Sequence, residues 1–518
     1  MFRSIPRAFT AAALMMLVGM PLAAQQPATG AEAVNFERAT THAELMAFLG
    51  EVQARSPHMQ LVELTRTNEG RVLPLVLLGN PAPGNPGTAW LSGKPTVFIT
   101  GNVHGNERAG REGSLQLIRE LAVGDLRPLL ERLNVLIVPT LNPDGAERPS
   151  RTNTLGYDMN RDFMVMETPE ITGIVEGVLT EWWPDIYVDV HNGGAYPYNV
   201  TYQPTLHPDA SEQLRAFALG PLFQGVNGHL ETQGMKAYWY SGPRLDQETG
   251  DWSWTTTPIW ARKQHVYGGL QNMVTLLFEI PGGWSLGDQA DNARESLEGL
   301  LRYAADNPER VRNVVLTARA EALAGAGPIA IELEEQAYPE RESFWVIPRG
   351  EGGERGEPEL VRGWNRTLYV PVETRARPWA YAFNGSLDRL ADHLRRHAID
   401  VEQLTAEVDV PVEQYRLTRL AWEPEPYQGH NLVSAAVALE PATVTLPVGT
   451  YLVRTRQNAS RLIGQMMEAD TEDSVLRWNW LDHFLPGPFE EGAEQRRPAI
   501  LPLYRITGPA SVRSVLLK

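Results

Sequence analysis

The stretch TVFITGNVHGNE (residues 96–107) decides how the rest of the chain is read. It follows a loop rich in Pro and Gly, Asn80 to Gly93, and its apolar run from Thr96 to Val103 predicts a buried strand. His104 and Glu107 fall on the loop leaving that strand's carboxyl end, which is where open α/β sheets place their ligands. An imidazole and a carboxylate three residues apart can chelate a zinc ion from a tight turn. A third ligand from elsewhere then leaves one position for water. On its own such a pair is usually a surface feature, so its meaning depends on what the other strands deliver.

Outward from this stretch the pattern alternates. Glu44–Val52 reads as a helix, and Leu61–Leu64 and Leu73–Leu78 as strands around the Asn68-Glu69-Gly70 turn. Arg111–Ala122 places Leu115, Ile118 and Leu121 on one helical face. Val135–Leu141 is a further strand. The next helix has Thr168 at its N-cap, Pro169 at its first position and an apolar side formed by Ile171, Ile174, Val175 and Val178. Ile186–Val190 and Val274–Ile280 complete the apolar strands. Strands alternating with helices predict an α/β fold with a mixed, largely parallel sheet flanked by helices.

The 518 residues exceed one compact core, so two folded units are expected. A helical segment, Gln289–Ala324, ends at Gly325-Ala326-Gly327-Pro328. Beyond it short β-branched and aromatic runs dominate (Ser343–Ile347, Thr367–Val372, Ala442–Leu446, Tyr451–Arg454), interrupted by one helix, Leu387–His397. The expected division is a catalytic unit over 41–325 and a β-rich accessory domain over 326–518 that supplies no ligands. Residues 1–24 read as a secretory signal peptide: Arg3 and Arg7, an apolar stretch from Phe9 to Met20, then small residues up to Ala24. Residues 25–40, small and polar, are expected to be flexible. The apolar stretch falls short of the ~20 residues of a membrane span, so an exported protein, periplasmic or secreted, is expected. A net charge of -17 argues against a nucleic-acid or anionic-membrane partner. With no cysteine in the chain, any metal site must use His and carboxylates.

Other strand ends carry polar residues of the needed kinds. Ile186–Val190 runs into His191-Asn192-Gly193-Gly194, and Val274–Phe278 runs into Glu279 before Pro281-Gly282-Gly283. A carboxylate ending an apolar strand is costly unless it is paired or acts on something. Between them lie the turn Asn142-Pro143-Asp144-Gly145, then Arg151 and Asp158-Met159-Asn160-Arg161. Taken in order with Glu69-Gly70-Arg71, Tyr196-Pro197-Tyr198 and Phe278-Glu279, this set resembles the zinc carboxypeptidase family, the carboxypeptidase A-like metallopeptidases. The resemblance covers roughly residues 40–310 and leaves the tail from Ala326 outside.

The resemblance implies one zinc ion per chain, bound by His104, Glu107 and His191. It makes Glu279 the general base that activates the zinc-bound water, and Arg151 the guanidinium that stabilises the tetrahedral oxyanion. Asn160 and Arg161 would clamp the terminal carboxylate of a peptide substrate, with Tyr198 a further substrate contact. Asp158 would orient His104. The family's mobile tyrosine is assigned to Tyr267, with Tyr238 and Tyr240 as rivals. The implied activity is hydrolysis of the C-terminal peptide bond. Two alternatives share the scaffold: a zinc amidase or deacylase acting on acylated amino acids or cell-wall peptides, and a catalytically inactive binding module.

Overall fold

Ten strands organise the first half of the chain: β1 (Met59–Arg66), β2 (Val72–Leu78), β3 (Thr96–Gly101), β4 (Asn134–Val138), β5 (Ile186–His191), β6 (Val200–Pro204), β7 (Ala237–Trp239), β8 (Gly242–Leu245), β9 (Trp252–Thr255) and β10 (Val274–Glu279). They belong to a computed structural model that describes residues 26–348, 355–490 and 499–517. Eight of them form one sheet in the order β1-β2-β4-β3-β5-β10-β6-β7. The pairs β4/β3, β3/β5, β5/β10 and β6/β7 are parallel, and β1/β2, β2/β4 and β10/β6 are antiparallel. The sheet is therefore mixed and largely parallel, as its apolar runs predict.

Every residue of β3, β4, β5 and β10 is buried. Because side chains alternate along a strand, each feeds two cores. Val97 and Ile99 join Val188, Val190 and Leu276 beneath the helices Ala109–Ala122 and Leu286–Asp306. Phe98, Leu136 and Tyr187 point to the other face, where Ile171, Ile174 and Val175 cover them.

That second core does not stop at residue 325. It continues through Phe163, Tyr267 and Leu270 into Tyr381, Leu390 and Leu462 of the C-terminal half. The tail is β-rich as expected: a seven-stranded sheet contains the long hairpin Val408–Trp422 and Val433–Leu446. It is not a separate unit, however. The strand Glu359–Arg366 pairs in parallel with β9, so one four-stranded sheet draws strands from both halves. Buried polar contacts cross the same seam. Arg262 Nη1 lies 2.8 Å from Asp473 Oδ1, and the Tyr267 hydroxyl 2.7 Å from His397 Nδ1. The glycines taken for a domain linker have a local task instead. Gly325, at φ +117°, ends the helix Pro308–Ala324 in the left-handed region that favours glycine.

The expected flexibility of residues 25–40 also gives way where the chain is described, from Gln26 onward. Glu32 pairs with Arg119 at 2.6 Å, and Thr40 donates its hydroxyl to buried Glu112 at 2.6 Å. The expected signal peptide, 1–24, lies outside the described residues. Among the described residues no helix is long and apolar enough to cross a membrane.

A shared core has a measurable consequence. Fully burying one large apolar side chain is worth about 1.5–3 kcal/mol, and a domain's net stability is only about 5–15 kcal/mol. Uncovering the Phe163–Tyr267 face by ending the chain at residue 325 is expected to leave no cooperatively folded product. The chain from residue 26 onward is expected to unfold in one calorimetric transition. Two separated transitions, or a soluble folded 26–325 fragment, would restore the two-unit description.

Candidate active site

The strand order sets three carboxyl ends side by side. In the parallel registers Gly101 stands opposite Val190, and Glu279 opposite His191. The turn after β3 therefore meets the end of β5 directly. Asn102 takes φ +59°, a left-handed conformation that Asn tolerates better than most residues. Its side-chain amide donates to the carbonyls of His104 (2.8 Å) and Gly105 (3.2 Å), and its Oδ1 accepts from Thr140 Oγ1 at 2.9 Å. Gly105 is required where this turn crosses the Asn142–Gly145 turn, since a Cβ there would lie 2.1 Å from the Gly145 carbonyl carbon.

The result is a buried convergence of His104, Glu107 and His191. The Glu107 carboxylate lies 2.7 Å from His104 Nδ1 through one oxygen and 2.8 Å from His191 Nδ1 through the other. The two Nδ1 atoms are 3.1 Å apart. Each outer nitrogen has its own carboxylate: His104 Nε2 lies 3.1 Å from Asp158 Oδ1, and His191 Nε2 lies 2.6 Å from Asp189 Oδ2. A carboxylate on Nε2 keeps the proton there and turns the Nδ1 lone pair inward. Two inward nitrogens and a carboxylate about 3 Å apart suit a zinc ion, whose tetrahedral ligands at 2.0–2.1 Å stand roughly 3.3 Å from one another. The residues present thus fit the metal.

The electrostatics agree. Burial raises the Glu107 carboxyl, but the adjoining His191 and His104 outweigh it and hold it well below the usual range. Burial lowers His191, yet Asp189 and Glu107 push it well above an ordinary histidine. Asp158, raised by burial, is brought down further by His104, Arg161 and Arg151. Glu279 moves the other way. Burial raises it and Glu107 adds to the effect, against the opposing His191, His104 and the Tyr240 hydroxyl, which hydrogen-bonds its carboxyl. Gly193 makes room for that carboxyl, since a Cβ there would meet Glu279 Oε2 at 2.4 Å.

The remaining residues singled out in the sequence divide. Arg151 Nε and Nη2 donate to Asp158 Oδ2 (3.1 and 2.9 Å), with Nη1 3.2 Å from His104 Nδ1. Asn160 Nδ2 lies 3.3 Å from His191 Nε2, and its Oδ1 accepts from Gln264 N at 2.9 Å. Arg161 donates to the Asn160 carbonyl at 2.7 Å and stands 5.7 Å from the Trp260 ring. Tyr267 is not at the site. It is fully buried in the core shared by the two halves, its hydroxyl held by His397, and Tyr240 occupies the position beside Glu279. Tyr198 is buried as well. Its hydroxyl accepts from the Trp345 amide at 2.8 Å and its ring packs edge-on to Trp254, so it braces the tail rather than opening to a substrate.

Sequence reasoning missed three supporting residues. Asp189 sits two positions before His191, the spacing that puts both on one face of β5, and that period was the available signal. Asn102 had no signal beyond its place in the turn. Gln428, in the tip of the tail's long hairpin, accepts from Asp158 N (3.1 Å) and donates to Asp158 O (2.7 Å), and no local pattern announces a contact 270 residues away. A second cluster, His229 with Glu295 and Glu298, has its carboxylates already paired with Arg294 and Arg302.

A zinc carboxypeptidase family model matches residues 45–173. The probable carboxypeptidase 2 of Arthroderma benhamiae is 26% identical over 436 residues, covering 79% of this chain and 79% of the relative. These matches support the zinc carboxypeptidase family for this chain. It is accordingly a hydrolase. The 79% coverage is more than the first 325 residues can hold, so this carboxypeptidase-family likeness extends into the tail. Carboxypeptidase E of Caenorhabditis elegans is 35% identical over 140 residues, 23% of this chain and 29% of the relative. Among solved structures, the metallo-carboxypeptidase from Burkholderia cenocepacia is 24% identical with a TM-score of 0.40, covering 51% of this chain and 69% of that one.

The buried Asp189–His191 contact can be tested by a single substitution. Asp189→Asn keeps the shape and removes the charge that fixes the imidazole. Metal affinity or activity is expected to fall about 10–100-fold, the range for partners of metal-binding histidines. Parent-like values for both would show that the contact is only structural.

Proposed function

We propose that this carboxypeptidase-family hydrolase removes the C-terminal residue of peptides, using one zinc ion per chain held by His104, Glu107 and His191. The supporting observation is an arrangement of charge. Arg161 donates to the carbonyl of Asn160, whose side chain reaches His191 of the proposed zinc trio, and among the described residues no carboxylate lies within 4 Å of its guanidinium. An exopeptidase must offset the dehydration of a terminal carboxylate, and a planar guanidinium with paired donors does so.

The ion supplies Lewis acidity toward the scissile carbonyl and toward water. The chain's own groups do the rest. Glu279, raised by burial, takes a proton from the attacking water and returns it to the leaving amine; a carboxyl shifted toward neutrality suits both roles. The Tyr240 hydroxyl holds that carboxyl in place. Arg151, anchored on Asp158 with one nitrogen next to His104, donates to the oxyanion that forms on the carbonyl. Asn160 and Arg161 fix the terminal carboxylate, so that the last peptide bond is the one presented. The reading places the enzyme outside the cytoplasm, on the strength of residues 1–24.

Two outcomes test this reading. Glu279→Gln is expected to retain the fold and metal while lowering kcat about 100-fold or more; a loss of only a few-fold would remove Glu279 from the proton transfers. Arg161→Ala is expected to weaken use of free peptides by roughly 2–5 kcal/mol, with Arg161→Lys restoring part. C-terminally amidated peptides should be poor substrates of the parent and respond little to either change. Equal cleavage of amidated and free peptides, or internal cutting, would favour the zinc amidase instead.

A further inference from the structure

The loop that leads from β9 to the helix Gln264–Leu270 places a second cation beside Arg161. Lys263 immediately precedes Gln264, whose amide docks on Asn160. Lys263 is 5% exposed, and its ammonium donates to two neutral acceptors, Thr257 Oγ1 (3.0 Å) and Pro258 O (2.6 Å), so that among the described residues its third donor has no partner. Arg161, Arg262 and Lys263 all lie against one ring, Trp260, at 5.7, 4.2 and 5.3 Å. Arg262 is neutralised by Asp473 and Glu472. Arg161 and Lys263 are not: among the described residues no carboxylate lies within 4 Å of either.

A buried ammonium next to a guanidinium is unfavourable twice over, through lost hydration and through like-charge repulsion. Burial together with Arg161 and Arg262 brings the Lys263 amine down to about 7. Arg262 apart, the charges that act on it most are Arg161, Glu279 and Asp158, all residues of the site. Arg161 alone suffices for one terminal carboxylate. Glu279 and Asp158 act on the amine only from beyond ion-pair distance, so a second cation at Arg161's side has room for a second negative charge from the ligand.

We propose that Arg161 and Lys263 together receive a peptide end bearing two carboxylates, a C-terminal Asp or Glu, with Arg161 on the α-carboxylate and Lys263 on the side chain. This rests on the carboxypeptidase reading and names its substrate class.

The test compares peptides that differ only in a last residue of Glu, Gln or Leu. They are given to the zinc-loaded full chain at about pH 6, where the amine is charged. For the parent, kcat/KM for Glu should exceed that for Gln by at least about tenfold, the low end for one added charge-assisted hydrogen bond. K263M should bring that ratio to near one and K263R should keep it. Calorimetric binding of free glutamate against free glutamine gives the same comparison without turnover, and glutamate should bind more tightly. A parent ratio of one or less, with Leu still released, overturns the acidic subsite and leaves the carboxypeptidase reading intact. Release from none of the three peptides defeats that reading and this one with it. Because the deciding ratio is read on the unaltered protein, an unstable variant does not shield the proposal.

Discussion

Two imidazole nitrogens and a carboxylate held about 3 Å apart in a buried place are the constraint on which this structure turns. Such donors repel unless a cation lies between them, and keeping them there demands rigid support. The support is visible in layers. Adjacent parallel strands β3 and β5 bring His104 and Glu107 to His191, and Asp158 and Asp189 fix the two rings from behind. Asn102 locks the turn that carries the first two, and Gln428 grips the backbone of Asp158. Removing an outer layer need not touch the donors to disturb them.

The same logic explains why the two halves are inseparable. A sheet buried on both faces needs two coverings. Helices of the catalytic half seal one face, while on the other the core runs on into the C-terminal half. The tail then does more than cover. Through Gln428 it reaches the segment that holds Asp158, Asn160 and Arg161, so the geometry of that charged segment depends on residues far along the chain.

What the sequence made legible follows from how local each signal is. Strands β3, β5 and β10 were readable because full burial writes uninterrupted apolar runs, and polar residues at their ends stood out against them. His104, Glu107, His191 and Glu279 were singled out that way. Asp189 was hidden by the same rule, since a single buried acid inside such a run looks like an interruption until its partner His191 is placed on the same face. Tyr240 could not be separated from Tyr267 and Tyr238, because which tyrosine reaches Glu279 is settled by the course of a loop. Tyr267 has the composition of a site residue and the environment of a core residue. The order in residues 26–40 and the sharing of a sheet by β9 and Glu359–Arg366 are long-range facts, to which a local pattern is blind.

The buried trio is the point at which metal content is decisive. Protein purified without added metal, dialysed against zinc and passed through a chelating resin is expected to retain one zinc per chain by elemental analysis. His191→Ala, with its fold verified by calorimetry, should retain none under the same treatment. Stoichiometric zinc in that variant, or a parent protein that keeps no zinc, would contradict the assignment of the site.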